Sequence, residues 1–383
     1  PVAVIEFHPS IGGYLCEKST FALVSSAGFG GRFGLSKDCP TCPKEPHVPD
    51  YHLVYSYVGP SYPAYVITYS TKSGQVIDSV FYPNHPFEDL QFTHDGKYAC
   101  YTSGWNLLLG GPETWVTNAS TGDTVSYLMG TGAIEAVVSQ DNQLLCLSIG
   151  NFLAILRIPS LEIVYRDSVP VRGVALHPTK QLAYFIKEPN QDTLFVLDYS
   201  LTPPRVTKSM PIRDSQGRNL WCYSDRMLCT DSYLILNPTL LDVTSYLQLY
   251  DLDSLTLIRE TNTRLYSLYL HPDGRRLFLG YVSYYSDHSP RSGVIDVYNL
   301  ETNTLYPYYS EDEVYLGEGR PLTPTNIQFT PGGETMYVLS AAGILALGPI
   351  LEIRTATKEV TGRIDNTDGF SRLIRLNPKD WAE

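Results

Sequence analysis

The chain has 383 residues, 43% of them hydrophobic, and carries 40 Asp+Glu against 28 Lys+Arg for a formal net charge of −12. That balance excludes a nucleic-acid partner, because phosphate binding needs clustered cations, and without a run of 18 apolar residues the chain has no transmembrane segment. The apolar content supports a sizeable core, and 29 Tyr, 29 Gly and 27 Pro suit many strands joined by tight turns. The chain begins at Pro1 with neither an initiator Met nor a signal-peptide pattern, as a processed form or a trimmed one would.

In chain order, residues 2–7 alternate and lead to a polar turn at His8, and residues 28–50 read as a loop insertion. Its glycine-rich start, 28–34, neither follows a strand nor opens a helix, as a phosphate-cradling loop must. Cys39-Pro40-Thr41-Cys42 comes next, with His47 and His52 nearby. A structural zinc needs four convergent ligands and the second paired motif is missing, so no metal is assigned. A disulfide, Cys39 with Cys42 or either with Cys16, and a pair of thiols both remain open.

From residue 64 onward one unit recurs: an apolar-x-apolar run, a polar turn, and a second such run. It appears at 64–80, 114–128, 152–166, 193–210, 246–260, 294–308 and 351–364. Alternation at period two means strands with one buried face. Polar turns at His8, Thr93, Ser139, His177, Tyr223, His271 and Thr330 precede these hairpins, and an eighth stands at Asn377. Pro272-Asp273-Gly274 shows the chemistry of such a turn, proline presetting φ and glycine accepting a positive one.

The units repeat at intervals of about 40–60 residues, the period of four-stranded propeller blades. A lone meander cannot bury both faces, whereas a closed ring buries them all. The predicted fold is therefore all-β, a seven-bladed β-propeller of four-stranded antiparallel blades in a single domain, 1–383. The blades are expected at 1–82, 87–129, 133–169, 171–211, 217–262, 264–309 and 324–365. Segment 370–383 is a strand with no hairpin after it, expected to pair beside residues 2–7 and latch the ring.

Residues 173–199, GVALHPTKQLAYFIKEPNQDTLFVLDY, resemble the repeat of the seven-bladed lactonase-like and YVTN-repeat (WD40-like) propellers. His177, Pro178, Ala183, Tyr184, Glu188, Asn190, Val196, Asp198 and Tyr199 carry the match, and residues 271–281 are a weaker second instance. The resemblance implies the fold; its members include lactone hydrolases, a muconate-cyclising enzyme, surface-layer proteins and binding scaffolds. An enzyme of that kind would act on a small anionic substrate at the mouth of the central channel. Glu188 would be its general base, and Arg172, Arg264, Arg320 and Arg372 the cations that hold an oxyanion. Lys187 stands where the resembling repeats carry Asn, and the histidine-rich segment of the enzymatic members is absent.

Loop length separates the two ends of the ring. The long b–c connections (27–51, 104–113, 231–245, 281–293 and 341–349) and the long d–a connections (211–219 and 310–325) emerge at the same end. Recognition is expected there. Tyr281, Tyr284, Tyr285, Asp287 and His288 offer flat amphipathic rings beside a carboxylate and an imidazole, suited to stacking on a carbohydrate or covering a protein partner. Packing of those tyrosines over their own scaffold is the plainer alternative.

Asn118-Ala119-Ser120 is a glycosylation sequon in a predicted exposed turn. If Asp225-Arg226 forms a hairpin turn, Cys222 and Cys229 face each other across it as a candidate disulfide; Cys100 and Cys146 read as buried thiols. With the acidity and scarcity of lysine, these features point to an extracellular or periplasmic location. No Gly-x-Ser-x-Gly elbow and no His-Glu-x-x-His occurs. The sequence thus predicts a non-enzymatic, secreted interaction or structural module acting through its loop-rich face, with self-assembly through that face as a variant, and no cofactor. The lactonase or cyclase type of enzyme is the alternative.

Overall fold

The computed structural model describes residues 50–58, 64–82, 87–103, 113–131, 133, 135–149, 152–168, 171–187, 192–222, 227–240, 244–264, 267–284, 290–310, 315–316, 320–341, 347–365 and 374–377. The chain divides into two compact units, Pro1–His47 and Val48–Glu383, and every described residue belongs to the second. Within that unit, seven sheets of antiparallel strands form a ring.

Each blade runs a, b, c, d from the axis outward. Blade 1 is Ile374–Leu376, His52–Val58, Ala64–Ser70 and Gln75–Tyr82. Blade 2 is Phe87–Phe92, Tyr98–Ser103, Glu113–Asn118 and Thr124–Met129, and blade 3 is Glu135–Val138, Leu144–Ile149, Phe152–Arg157 and Ile163–Asp167. Blade 4 is Val171–Leu176, Leu182–Lys187, Thr193–Asp198 and Arg205–Pro211. Blade 5 is Met227–Cys229, Tyr233–Leu236, Thr244–Asp251 and Leu257–Thr263, with Thr239–Leu240 as an extra short strand. Blade 6 is Ser267–Leu270, Arg276–Tyr284, Pro290–Asn299 and Thr304–Tyr309; blade 7 is Pro324–Phe329, Thr335–Ala341, Leu347–Arg354 and Val360–Ile364.

The core lies between blades, as the argument from alternation requires. Tyr184, Leu194 and Val196 of blade 4 pack with Leu234, Tyr246 and Tyr250 of blade 5. Phe278 and Ile295 of blade 6 meet Met336 and Leu351 of blade 7, and Tyr337 and Leu339 of blade 7 meet Leu53 and Tyr55 of blade 1. Strand d is the rim, which is why Thr124–Met129 alternates between exposed and half-buried while the neighbouring Glu113–Asn118 is almost wholly buried.

The recurring turn residues do one shared job. Thr93 Oγ1 accepts from Tyr98 N (3.0 Å), Ser139 Oγ from Leu144 N (2.9 Å) and Thr330 Oγ1 from Thr335 N (3.2 Å). His177 Nδ1 does the same for Thr179 N and Lys180 N (both 3.1 Å), and His271 Nδ1 for Asp273 N (3.2 Å). A hydroxyl or an imidazole nitrogen thus satisfies amides that a tight a–b turn leaves without a ladder partner.

The eighth turn explains the closure. Asn377 N donates to His52 O (3.0 Å), the bond that Thr93 N makes to Tyr98 O within one turn, but here its two halves come from opposite ends of the unit. Ile374–Leu376 pairs with His52–Val58 in the register Leu53↔Leu376, Val54↔Arg375, Tyr55↔Ile374. The latch was expected beside residues 2–7, which lie outside the described residues; among the described residues its partner is strand b of blade 1. Blade 1 accordingly takes its inner strand from segment 370–383.

Two further expectations are corrected. The a–b turn of blade 5 is not at Tyr223 but at 230–232, where Thr230 N donates to Tyr233 O (2.9 Å). Cys229 therefore pairs with Leu234, while Trp221, next to Cys222, pairs with Thr239. The two cysteines thus belong to different pairings, and Cys222 and Cys229 are thiols rather than a disulfide. Cys100 and Cys146 are buried thiols as expected, and burial pushes the Cys100 thiol up to about 12.

Blades 4 and 5 are tied on the turn-bearing end by Lys180, which pairs with Asp253 beside the buried His177. Burial pushes the His177 imidazole below its ordinary value of 6.5; Asp253 opposes this and Lys180 adds to it. The unfolded chain then takes up the proton at higher pH than the folded one, so this contribution is complete above about 6.5 and is lost as pH falls. Thermal unfolding of the wild type is expected to lose midpoint temperature between about pH 7 and 5 more steeply than His177→Asn, whose amide oxygen still caps the turn; parallel profiles would contradict this.

Candidate functional site

Among the described strands, a–b and c–d connections are short, none longer than 199–204, whereas the opposite end carries 104–112, 212–226 and 310–323. The decorated end is real, but three of its expected loops shrink: 231–245 is cut to 237–243, because Tyr233–Leu236 and Thr244–Asp251 extend into it. Strands Arg276–Tyr284 and Pro290–Asn299 stay paired far beyond 281, leaving only 285–289 between them, and Thr335–Ala341 with Leu347–Arg354 leaves 342–346. β-forming side chains on both arms keep the ladder going where a loop was expected.

Tyr281 is therefore a strand residue paired with Val294, half-buried, with the Arg264 guanidinium 5.2 Å from its ring centroid. One arginine of the enzymatic alternative and one tyrosine of the binding set thus meet. The Arg264 carbonyl accepts from Thr263 Oγ1 (2.8 Å) and from Nδ2 of the fully buried Asn237 (3.3 Å), which fixes the entry to blade 6. Tyr284, Arg172 and Arg320 lie on strands, but their side chains are outside the described residues; so are Glu188, Tyr285, Asp287, His288, Arg372, Cys39 and Cys42 altogether. Asn118 ends strand c of blade 2 on the turn-bearing end, its Oδ1 accepting from Ser120 N (2.8 Å) and Thr121 N (3.2 Å).

Lys187, which replaces the expected Asn, has a defined place. Its Nζ lies 3.1 Å from Asp167 Oδ2, joining blade 4 to blade 3, and 5.1 and 5.6 Å from the ring centroids of Phe195 and Phe185. A cation held between a carboxylate and two π-faces is a structural tie. Nearer the axis, Arg375 Nη2 lies 2.8 Å from Asp89, whose other oxygen accepts from Ala136 N (2.9 Å), linking blades 1, 2 and 3.

The best-defined feature of this end was missed in the sequence. Residues 212–222 form a folded excursion between strand d of blade 4 and strand a of blade 5. Ile212, Leu220 and Cys222 are fully buried beneath it. Gln248 Nε2, also buried, donates to Arg213 O and to Glu260 Oε2 (both 2.7 Å), and Glu260 Oε1 accepts from Ser215 N (3.1 Å). Asp214 is buried, which raises its pKa, but bonds from the Arg218 amide and guanidinium and the Gln216 amide hold the carboxyl below its ordinary value. On top stands Trp221, 38% exposed, its backbone locked by N–H donation to Thr239 O (2.8 Å) and acceptance from Thr239 N (2.7 Å). The alternation in Asn219-Leu220-Trp221-Cys222 is legible, but with the a–b turn placed at Tyr223 it reads as the inner strand of blade 5; the segment instead makes isolated bridges with Arg213 and Thr239. No group of three or more metal-binding side chains occurs among the described residues, and no described helix is long and apolar enough to cross a membrane.

No family model matches the chain, and no curated protein matches it by sequence. Solved structures do. A putative 6-phosphogluconolactonase from Bacteroides fragilis aligns with a TM-score of 0.59 at 13% identity, covering 87% of this chain and 99% of that one. The Cps50 (Swd1) β-propeller domain of Myceliophteria thermophila aligns at 0.56 and 13% identity, covering 73% and 87%. Dihydro-heme d1 dehydrogenase NirN aligns at 0.57 and 13%, covering 89% and 79%. Such identities speak for the fold alone: the chain is a seven-bladed β-propeller.

Proposed function

We propose that the chain is a non-enzymatic, extracytoplasmic binding module whose recognition surface is the loop-bearing end of the ring. Its partner is a protein, a glycan or a further copy of the chain. The observation that carries this reading is the excursion 212–222, in which buried polar groups tie down residues 213–218 and two backbone bonds to Thr239 fix the exposed Trp221. Rigidly mounted aromatics are what recognition surfaces are built from, because ordering them on binding costs little.

The described charges nearby support the same reading. Arg375 and Lys187 each engage a carboxylate that ties one blade to another, Arg218 engages Asp214 within the excursion itself, and Arg264 lies over Tyr281. A lactonase would instead need such cations converging on a substrate oxygen. Acidity and few lysines favour an extracytoplasmic setting; the cysteines no longer do.

The competing lactonase or cyclase reading is tested by turnover of simple γ- and δ-lactones and of 6-phosphogluconolactone by the purified chain. Hydrolysis at the rate of solvent alone is expected. Turnover that Arg264→Ala abolishes would overturn the binding-module reading.

A further inference from the structure

We infer that the platform 212–222 carries a subsite for neutral glycans, composed of Trp221, Asn219, Arg213 and Asp192. This rests on the loop-bearing end being the recognition surface, and it names the ligand class. Because Leu220 and Cys222 are fully buried while Asn219 and Trp221 are exposed, alternation along this extended segment places Asn219 and Trp221 together on its solvent side, about 7 Å apart. Arg213 is the antiparallel bridge partner of Asn219, so the two side chains share a side. Asp192 joins them from the start of strand c of blade 4, its Oδ2 accepting from Asn219 Nδ2 (2.8 Å) and its Oδ1 from Thr193 Oγ1 (3.1 Å).

The set matches a pyranose in both its parts. A sugar ring has an apolar C–H face, which stacks on an indole, and an edge of hydroxyls that each need a donor and an acceptor. Asp192 retains lone pairs beyond the two bonds named, the Asn219 amide offers a carbonyl oxygen, and Arg213, exposed, offers N–H donors. A protein-docking anchor sits among apolar neighbours, whereas among the described residues the pairing sets this indole beside Thr239 and Asn219 and, through Asn219, beside Arg213 and Asp192. Asp192 and the net charge of −12 disfavour a polyanion.

The test is titration of the full chain with laminarin, barley β-glucan, galactomannan, cellohexaose and chitohexaose, with dextran sulfate as the anionic comparison, followed calorimetrically. At least one neutral glycan is expected to bind. Trp221→Ala should weaken it by about tenfold or more, as loss of a central aromatic anchor does. Trp221→Phe should retain part of the affinity, Asn219→Ala should weaken it less, and the unfolding midpoint should not change. Absence of binding to every neutral glycan, binding undiminished in both Trp221→Ala and Asn219→Ala, or preference for dextran sulfate would overturn the subsite. Those results leave the binding-module reading standing, because that reading falls on lactone turnover instead.

Discussion

Arg375→Ala is expected to cost about 3–5 kcal/mol of stability, the penalty for stranding one member of a buried ion pair. Arg375 comes from the C-terminal inner strand of blade 1, and its Nη2 lies 2.8 Å from Asp89 on the inner strand of blade 2, with side chains only 18% and 9% exposed. The same guanidinium donates through Nε to Leu90 O (2.8 Å). Removing it leaves a carboxylate and a carbonyl without that partner at the seam where the ring closes. Replacing both charges, Asp89→Asn with Arg375→Met, should cost less than the two single changes together, since no unmatched charge remains. Urea unfolding of the wild type, Arg375→Ala, Asp89→Asn, Arg375→Met and the double variant measures this. A loss below about 1 kcal/mol for Arg375→Ala would contradict a buried closure pair.

Gly333→Ala carries the second large effect. Gly333 has φ +76°, a conformation that side chains resist, and a Cβ there would overlap the imidazole of His271. That ring is 2% exposed and cannot withdraw: it lies 5.8 Å from the Phe278 ring and 5.0 Å from the Phe329 ring, and its Nε2 is 3.1 Å from the Gly333 carbonyl. Strain of about 1 kcal/mol and overpacking of about 1–3 kcal/mol are expected to add. Gly217→Ala separates them, since Gly217 has φ +80° but open space around it, and should show the strain alone. Equal losses at the two glycines, read from the same unfolding curves, would mean that the histidine yields.

Blade count was legible because it rests on local chemistry. Period-two runs and turn-capping Thr, Ser and His residues recur within one blade, and Thr93, Ser139, His177, His271 and Thr330 all cap as the pattern implies. Blade 5 slipped because its inner strand is only Met227–Cys229, too short to alternate, while 219–222 alternates and pairs elsewhere. Closure was legible as an unpaired eighth turn; which strand receives it is a contact across the whole unit, and no local pattern encodes that.

The site was less legible for the same reason. Tyr281 looked like a loop aromatic, but its ladder with Val294 depends on both arms staying extended. Trp221 went unremarked because its surroundings come from distant positions: Asp192 lies 27 residues from Asn219, and Gln248 reaches Arg213 across 35. Composition and spacing describe strands and turns well. They do not say which side chains an excursion folds back upon.

Residues 374–376 complete the first blade and close the ring, and the proposed recognition surface is one end of that closed scaffold. Leu53 and Leu376 face each other there, and because Asn377 N bonds His52 O one step along, they form a non-hydrogen-bonded antiparallel pair, the closest kind. The direct measurement is the mass of the Leu53→Cys, Leu376→Cys protein after mild oxidation and proteolysis, which should yield a disulfide joining peptides from the two ends of the unit. Recovery of both introduced cysteines as alkylated thiols, with the chain still folded, would contradict the closure.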